Sequence, residues 1–308
     1  MIVRYKKGKK LIADGIEPIA FYTLNTLFML GVILVMLYPF WNTIAVSLND
    51  AQDTLRGGVT FWPRKFSLYN YETVFRNELL LTASFNSVLR TVLSTVLGLF
   101  SSSVLGYVLS RQEFVWRKWM TTYFLITMYV SAGLIPNYFL VKDLRLLNNF
   151  WVYVLPGIVS VFNVIIVRTF MQSLPDSLVE AARIDGAGEF RCFAQIVLPC
   201  CMPVLATVAL WVAVGAWNTW FDTFIYCSGK EHLTTLQYEM MKMLSSAMNS
   251  TSARDQASMY TNSGASNTIT PASIRASITV VASMPILIVY PFLQKYFVKG
   301  VMIGAVKG

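Results

Sequence analysis

Six long apolar runs are the feature that most constrains what this sequence can fold into. They cover roughly residues 19–41, 85–110, 119–141, 150–172, 196–220 and 276–298. Each is long enough for an α-helix to cross the roughly 30 Å of hydrocarbon in a bilayer. In addition, 13% of the 308 residues are charged, whereas an ordinary soluble domain has about 25%. The sequence therefore predicts an all-α membrane protein with six transmembrane helices in a domain spanning residues 19–298.

The distribution of Lys and Arg predicts the orientation of these helices. Residues 1–18 carry five basic side chains. The apolar run that follows is too long for a signal peptide and lacks a small-residue cleavage site, so we expect it to be retained as the first helix. With residues 1–18 in the cytoplasm, the inner segments hold most of the Lys and Arg although they have about half the length of the outer ones. We expect both ends inside, with residues 299–308 as a cytoplasmic tail, and two long outer loops at 42–84 and 221–275.

Several features bear on how the helices pack. Ser94, Gly98, Ser102 and Gly106 recur every four residues, which places small side chains along one face and predicts a close helix-packing seam. Prolines inside the apolar runs predict kinks, and these are Pro136, Pro156, Pro285 and Pro291. The sequence shows no internal repeat, so it does not support an inverted-repeat transporter.

The composition also limits the chemistry. The four cysteines have no CxxC spacing and His232 stands alone, so we expect no metal site and assign no catalytic residue. The net charge of +9 comes from scattered basic residues that form no patch with interleaved aromatic side chains, so we expect no nucleic acid partner. A membrane-embedded enzyme would need clustered His, Cys or carboxylates at membrane depth, which this sequence lacks.

The energy source has to lie outside this chain. An ion-coupled secondary transporter, the main alternative, typically has carboxylates inside the membrane, and none of the six runs contains Asp or Glu. Arg90 and Arg168 lie near span ends, where a long side chain can reach the aqueous interface, and we expect a structural role for both. The sequence has no GxxxxGK(S/T) phosphate loop either, so it is no P-loop ATPase. Active transport would therefore depend on another subunit.

The inner loop at 173–199 is where such a subunit could dock. Pro175 and Asp176 indicate a helix start, Leu178, Ala181 and Ala182 would share a face, and Gly186 is suited to a left-handed stop. A second short helix follows, with Phe190, Phe193 and Val197 on one face before Pro199. On these grounds alone the pair either packs on its own bundle or enters a groove of a partner.

This loop resembles the EAA loop of binding-protein-dependent ABC importer permeases. The resemblance rests on Glu180-Ala181-Ala182, on Gly186, and on Ile196-Val197-Leu198-Pro199, with nine residues between the glycine and Ile196. The fuller run 180–187, Trp217-Asn218 and the ending 294–308 are similar to the oligosaccharide, maltose-type branch. The similarity extends from about residue 20 to the last residue.

The resemblance implies the partners and the coupling residues. In the family the EAA helices sit in a cleft of an ABC ATPase, so Glu180, Ala181, Ala182 and Gly186 are expected to carry coupling, with Asp185 and Leu198 as weaker candidates. It implies two ATPase copies, which hold the ATP and Mg, and a second, homologous permease in a heterodimer. It also implies an extracytoplasmic solute-binding protein that delivers a sugar, expected to be an oligosaccharide. The protein itself is expected in the bacterial cytoplasmic membrane. A non-sugar solute is the alternative within this class.

Some polar and aromatic residues are candidates for the substrate path, because sugars are recognised by aromatic stacking and hydrogen bonds. They are Asn163 in the fourth run and Trp211, Trp217 and Asn218 in the fifth. Each has a structural alternative: the asparagine bridges helices, and the tryptophans anchor the chain at the membrane interface. The tail, including Lys299, Gly300 and Lys307, resembles a segment that reaches the interface between the two ATPases.

Overall fold

The computed structural model describes residues 16–249 and 270–305, and within these ranges the regular structure is helical. The basic segment up to residue 15, the Ser/Asn-rich stretch at 250–269 and the last three residues lie outside the described part of the chain. The α-helices are α1 (Ile16–Ser47), α2 (Ala51–Leu55), α3 (Tyr69–Arg76), α4 (Glu78–Ser110), α5 (Arg117–Tyr129), α6 (Leu134–Asp143), α7 (Val161–Gln172), α8 (Ser177–Ile184), α9 (Glu189–Arg191), α10 (Leu198–Cys200), α11 (Met202–Asn218), α12 (Phe221–Tyr226), α13 (Leu236–Asn249) and α14 (Pro271–Ala305). A π-helical turn (Cys192–Val197) joins α9 to α10, and 3₁₀ turns lie at Phe150–Tyr153, Leu155–Gly157 and Glu231–Leu233.

Three of these helices are long and apolar enough to cross a membrane: α1, α4 and α14. The count rises to six if each of three bent helix pairs forms one span. The predicted runs 119–141, 150–172 and 196–220 are therefore each broken rather than continuous, and here the sequence prediction of a single helix is wrong. The bends are 116° between α5 and α6, 45° before α7, and 80° between the segment Glu189–Cys200 and α11.

The breaks arise at residues other than those expected. Between α5 and α6 the chain turns at Gly133, whose φ of 86° is left-handed, whereas Pro136 lies inside the first turn of α6. Before α7 the Ser160 side chain accepts a hydrogen bond from the Asn163 backbone N–H at 3.5 Å, which fixes a new helix start. Pro285 and Pro291 do lie within α14, as expected.

The described residues fall into two compact units: 16–71 with 270–280, and 72–249 with 281–305. In the second unit α4 packs against α7 and α11. The predicted small-residue seam is confirmed here, because a Cβ atom on Gly106 would lie 2.9 Å from Val167 Cγ1 and one on Gly98 would lie 3.6 Å from Val212 Cγ1. Ser102, between them, is fully buried.

A buried ion pair joins α4 to the segment after α11. Arg90 Nη2 lies 2.6 Å from Asp222 Oδ2, and its Nη1 donates to the Thr219 carbonyl oxygen at 3.1 Å. The guanidinium also lies 4.8 Å from the centre of the Tyr153 ring. The Arg90 side chain is 3% exposed, so it does not reach the aqueous interface, and its ion pair gives it the structural role that was expected. It is kept inside the protein because its charge is neutralised there by a carboxylate.

The first part of the predicted loop 221–275 is folded rather than extended. Asn86 Nδ2 donates to the carbonyl oxygens of His232 and Thr234, at 2.8 and 2.9 Å. The Ser87 hydroxyl accepts from the Leu236 backbone N–H at 2.9 Å. These buried bonds satisfy the backbone of the 3₁₀ turn and of the start of α13, and they hold this segment on α4.

In the first unit, every side chain of α1 from Phe21 to Trp41 is exposed. The loop that follows is closed by polar bonds: Asp53 Oδ2 accepts from Asn49 Nδ2 at 3.0 Å and from Arg64 Nε at 2.9 Å. These two hydrogen bonds lower the pKa of the Asp53 carboxyl below its usual value, and the bond from Asn49 has the larger effect. Asn70 Nδ2 donates to the Ser47 and Asn49 carbonyl oxygens and so fixes the end of α1.

Candidate functional site

Residues 173–199 form the candidate coupling segment, which we call the projection. Its first helix, α8, starts after Asp176 at the N-cap and ends with Asp185 at the C-cap. Gly186 follows with a φ of 82°, and the Ala187 backbone N–H donates to the Ala182 carbonyl oxygen at 2.9 Å. This is the left-handed stop that the sequence predicts, and glycine adopts it without the steric cost of a Cβ atom.

The two faces of α8 differ from the expected pattern. Val179 and Ala182 are buried in a core that includes Val167 and Cys192. Ala181, by contrast, is exposed, so Leu178, Ala181 and Ala182, which share a face by helical spacing, are divided between the surface and the core. The outward face carries large apolar groups, with Leu178 41% and Ile184 86% exposed. An exposed apolar surface of this kind is typical of a contact with another protein.

The second half of the projection also departs from the prediction. Val197 is buried and Phe193 is partly buried, but Phe190 is 80% exposed. The π-helical turn at Cys192–Val197 explains the difference, because its wider turn changes which residues share a face. Leu198 packs against the same core rather than facing outward.

An ion-pair network holds the projection, and it was missed at the sequence level. Arg183 Nη2 and Nε donate to Glu189 Oε1 at 2.6 and 3.0 Å, and its Nη1 donates to Glu113 Oε1 at 2.7 Å. The hydrogen bond from Arg183 lowers the pKa of the Glu113 carboxyl below its usual value, and both carboxylates raise the pKa of the guanidinium. No local signal could have found it, because Glu113 is 70 residues away and the six-residue spacing to Glu189 is not helical.

A polar cavity of about 260 Å³ opens beside α8. Glu180 and Asp176, one helical turn apart, line it, and both are exposed. The remaining lining residues are Arg111, Gln112, Glu113, Val179 and Arg183. With its carboxylate at the edge of this cavity, Glu180 is placed to accept hydrogen bonds from a cationic group of another molecule.

The four substrate-path candidates have separate surroundings. Asn163 is buried in α7, and Trp211 is 47% exposed with its ring centre 5.8 Å from that of Phe162. Trp217 is buried and its indole N–H donates to the Ala282 carbonyl oxygen at 2.8 Å, which ties α11 to α14. Asn218 is exposed; its Oδ1 accepts from Gln237 Nε2 at 2.9 Å. Trp217 thus bridges two helices, which is the structural role that was given above as the alternative for Asn163.

Three apolar helices long enough to cross a bilayer, and a projection between α7 and α11, define the class of this protein as a helical membrane component. Residues 94–303 match the family described as "Binding-protein-dependent transport system inner membrane component". The chain belongs to this family and is a permease subunit, not an enzyme. The family resemblance seen in the sequence is thereby confirmed.

Relatives and a solved structure align over nearly the whole chain. It is 35% identical over 283 residues, 91% of this chain and 96% of the relative, to "Polygalacturonan/rhamnogalacturonan transport system permease protein YtcP" of Bacillus subtilis (strain 168). It is 34% identical over 285 residues, 92% of this chain and 94% of the relative, to "Protein LplC" of the same organism. A crystal structure of a bacterial ABC transporter "involved in the import of the acidic polysaccharide alginate" matches with a TM-score of 0.79 and 26% identity, over 92% of this chain and 99% of that one.

Proposed function

We propose that this chain is the permease subunit of an ATP-driven importer that moves an oligosaccharide delivered by a solute-binding protein. The observation that carries the proposal is full-length similarity, at 35% identity, to a permease named for polygalacturonan and rhamnogalacturonan. The similarity to an alginate importer supports the same substrate class. Family membership supports dependence on a binding protein and a place in the inner membrane.

We infer a six-span topology in which each bent pair contributes one span and both ends lie in the cytoplasm; in the third pair α11 is the part that crosses, because residues 189–199 belong to the projection. The bends support this because a broken apolar helix can cross a membrane where neighbouring protein satisfies its free backbone groups. The projection then lies on the cytoplasmic side, and the segment 221–275 lies outside, where a binding protein arrives. Residues 1–18 and 299–308 are the cytoplasmic ends.

We propose that the projection docks into an ABC ATPase. One copy of the ATPase binds this chain, and a second copy binds a second, homologous permease. The exposed Leu178, Ala181 and Ile184 supply the apolar contact, and Glu180 pairs with a basic group of the ATPase. Gly186 and Asp185 set the turn, while Ala182 and Leu198 support the surface from behind. ATP and Mg are held by the ATPase subunits.

In this mechanism ATP binding closes the two ATPases and the projections move with them. The broken helices, which already contain bends of 45° to 116°, rearrange so that a site open to the outside opens inward. Asn163 and Trp211 remain candidates for contact with the sugar. Trp217 and Asn218 act through helix packing, since their polar groups are bound within the chain.

The test is uptake by the complex copurified through a tag on this chain and reconstituted with its binding protein. Labelled trigalacturonate, arabinotriose and maltotriose are the probes. We expect ATP-dependent uptake of one of them, lost in Glu180→Arg and retained in Glu72→Arg, a charge reversal in an exposed i,i+4 pair of α3. Uptake driven by a proton gradient without ATP would refute the importer and favour an ion-coupled transporter.

A further inference from the structure

Four residues connect the projection to the inner end of α4, and we call them the clasp: Arg183, Glu113, Glu189 and Tyr107. Arg183 is the centre, with one bond to Glu113 in the loop after α4 and two to Glu189 at the start of α9. The two bonds to Glu189 converge on a single oxygen, Oε1, at 3.0 and 2.6 Å. The guanidinium therefore holds two separate segments at once.

Tyr107 completes a second route from the projection to α4. Its hydroxyl donates to Glu189 Oε2 at 2.9 Å, so both carboxylate oxygens of Glu189 are bound. The Tyr107 ring is buried in the last turn of α4, between the Arg111 guanidinium at 4.6 Å and the Phe193 ring at 5.1 Å. The side chain that anchors the clasp is thus fixed in the core, and the clasp ends on a rigid element.

The clasp differs from the covalent links of the projection. The chain leaves the projection towards α7 on one side and, through the 80° bend at Cys201, towards α11 on the other. Neither link leads directly to α4. Yet α4 is the helix against which both α7 and α11 pack, with Gly106 in close contact with Val167. A non-covalent link to α4 therefore adds a third point at which movement of the projection can reach the bundle.

We propose that the clasp transmits displacement of the projection to α4, and that Arg183 and Glu113 are positioning residues for the coupling of ATP hydrolysis to transport. This inference rests on the proposed function. The clasp ion pairs are exposed, with side-chain exposures of 37% for Arg183 and 60% for Glu113. Exposed pairs contribute little to stability, so breaking the clasp leaves the fold and the docking surface in place.

The experiment measures sugar transported per ATP hydrolysed by the copurified complex in proteoliposomes, using the trisaccharide from the panel above that the wild type transports. The variants are Arg183→Gln, Glu113→Gln and the double variant. Arg76→Gln is the matched control, since it breaks an exposed arginine–carboxylate pair of α3 that lies outside the projection. The amount of copurified ATPase is measured for every variant.

We expect Arg183→Gln and Glu113→Gln to keep the ATPase bound and hydrolysing ATP, while transport per ATP falls about fivefold or more. The double variant should be no worse than Arg183→Gln, because both remove the same link. A wild-type ratio in both single variants would overturn the proposal, as would loss of the bound ATPase in both. Glu113→Gln lies outside the projection, so it remains informative even if Arg183→Gln does not assemble.

The same vesicles separate this proposal from the proposed function. If the wild type transports none of the three sugars with ATP, the importer is refuted and the clasp proposal falls with it. If the wild type transports and the clasp variants have an unchanged ratio, the importer stands and the clasp alone is refuted.

Discussion

Substituting Gly106 by alanine tests the packing of α4 against α7. An added Cβ atom would lie 2.9 Å from Val167 Cγ1 and 3.2 Å from the backbone nitrogen of Arg168. Val167 is fully buried and a backbone atom cannot rotate away, so α4 and α7 must move apart. Gly98→Ala, in the same helix as Gly106, is the control, since its Cβ atom would meet Val212 of α11 at an ordinary contact distance of 3.6 Å.

The magnitude follows from comparing these two variants. Both replace glycine by alanine in the interior of one helix, so each gains the same helix propensity of about 1 kcal/mol, which cancels in the comparison. What remains is the overpacking at Gly106, which costs about 1–3 kcal/mol. We therefore expect Gly106→Ala to be less stable than Gly98→Ala by that amount.

The measurement is the unfolding midpoint of detergent-solubilised protein, followed by the loss of the monodisperse peak after heating. Gly106→Ala should unfold at a lower temperature than Gly98→Ala. Adding Val167→Ala to Gly106→Ala removes the nearest methyl group, so the double variant should be more stable than the sum of the single effects predicts. Equal midpoints for the two alanine variants would show that the α4–α7 approach described above is wrong.

Other predictions concern charge, backbone conformation and pH. Asp222→Asn leaves the Arg90 guanidinium buried without a counter-charge and should lower the free energy of unfolding by about 3 kcal/mol, whereas Arg76→Gln, in an exposed pair, should lower it by less than about 1 kcal/mol; chemical denaturation measures both. Gly186→Ala places a Cβ atom at a φ of 82° and should cost roughly 1–2 kcal/mol, in the same assay. Because the folded-state pKa of Asp53 is lowered, its contribution to stability is present above the ordinary carboxyl pKa and is lost as the pH falls through the folded value. The hydrogen-exchange protection of residues 49–67, corrected for the intrinsic pH dependence of exchange, should therefore fall in acid in the wild type and fall less in Asp53→Asn.

The sequence predicted those features that depend on composition or on a single residue type. The six apolar runs, each about 20 residues long, fall on α1, α4, α14 and the three bent helix pairs, because hydropathy is a property of the whole segment. The Gly186 stop and the Gly106 seam followed from what only glycine permits, namely a left-handed φ and close backbone approach. These signals are local, so they can be read without knowing the fold.

Features that depend on distant partners could not be predicted in this way. Arg90 near the end of an apolar run has the same sequence signal whether it reaches the interface or stays buried, and what decides is Asp222, 132 residues away. The clasp depends similarly on Glu113, which no spacing relates to Arg183. The helix breaks at Gly133 and Ser160 also escaped, because hydropathy does not record backbone direction.

The complete exposure of α1 from Phe21 to Trp41 has a consequence for how the protein is made. A rod of unshielded hydrocarbon side chains would aggregate in water before the rest of the chain existed. Its synthesis must therefore hand this stretch from the ribosome to the insertion machinery without an aqueous stage. Overproduction beyond the supply of insertion sites should then yield precipitate rather than a soluble precursor.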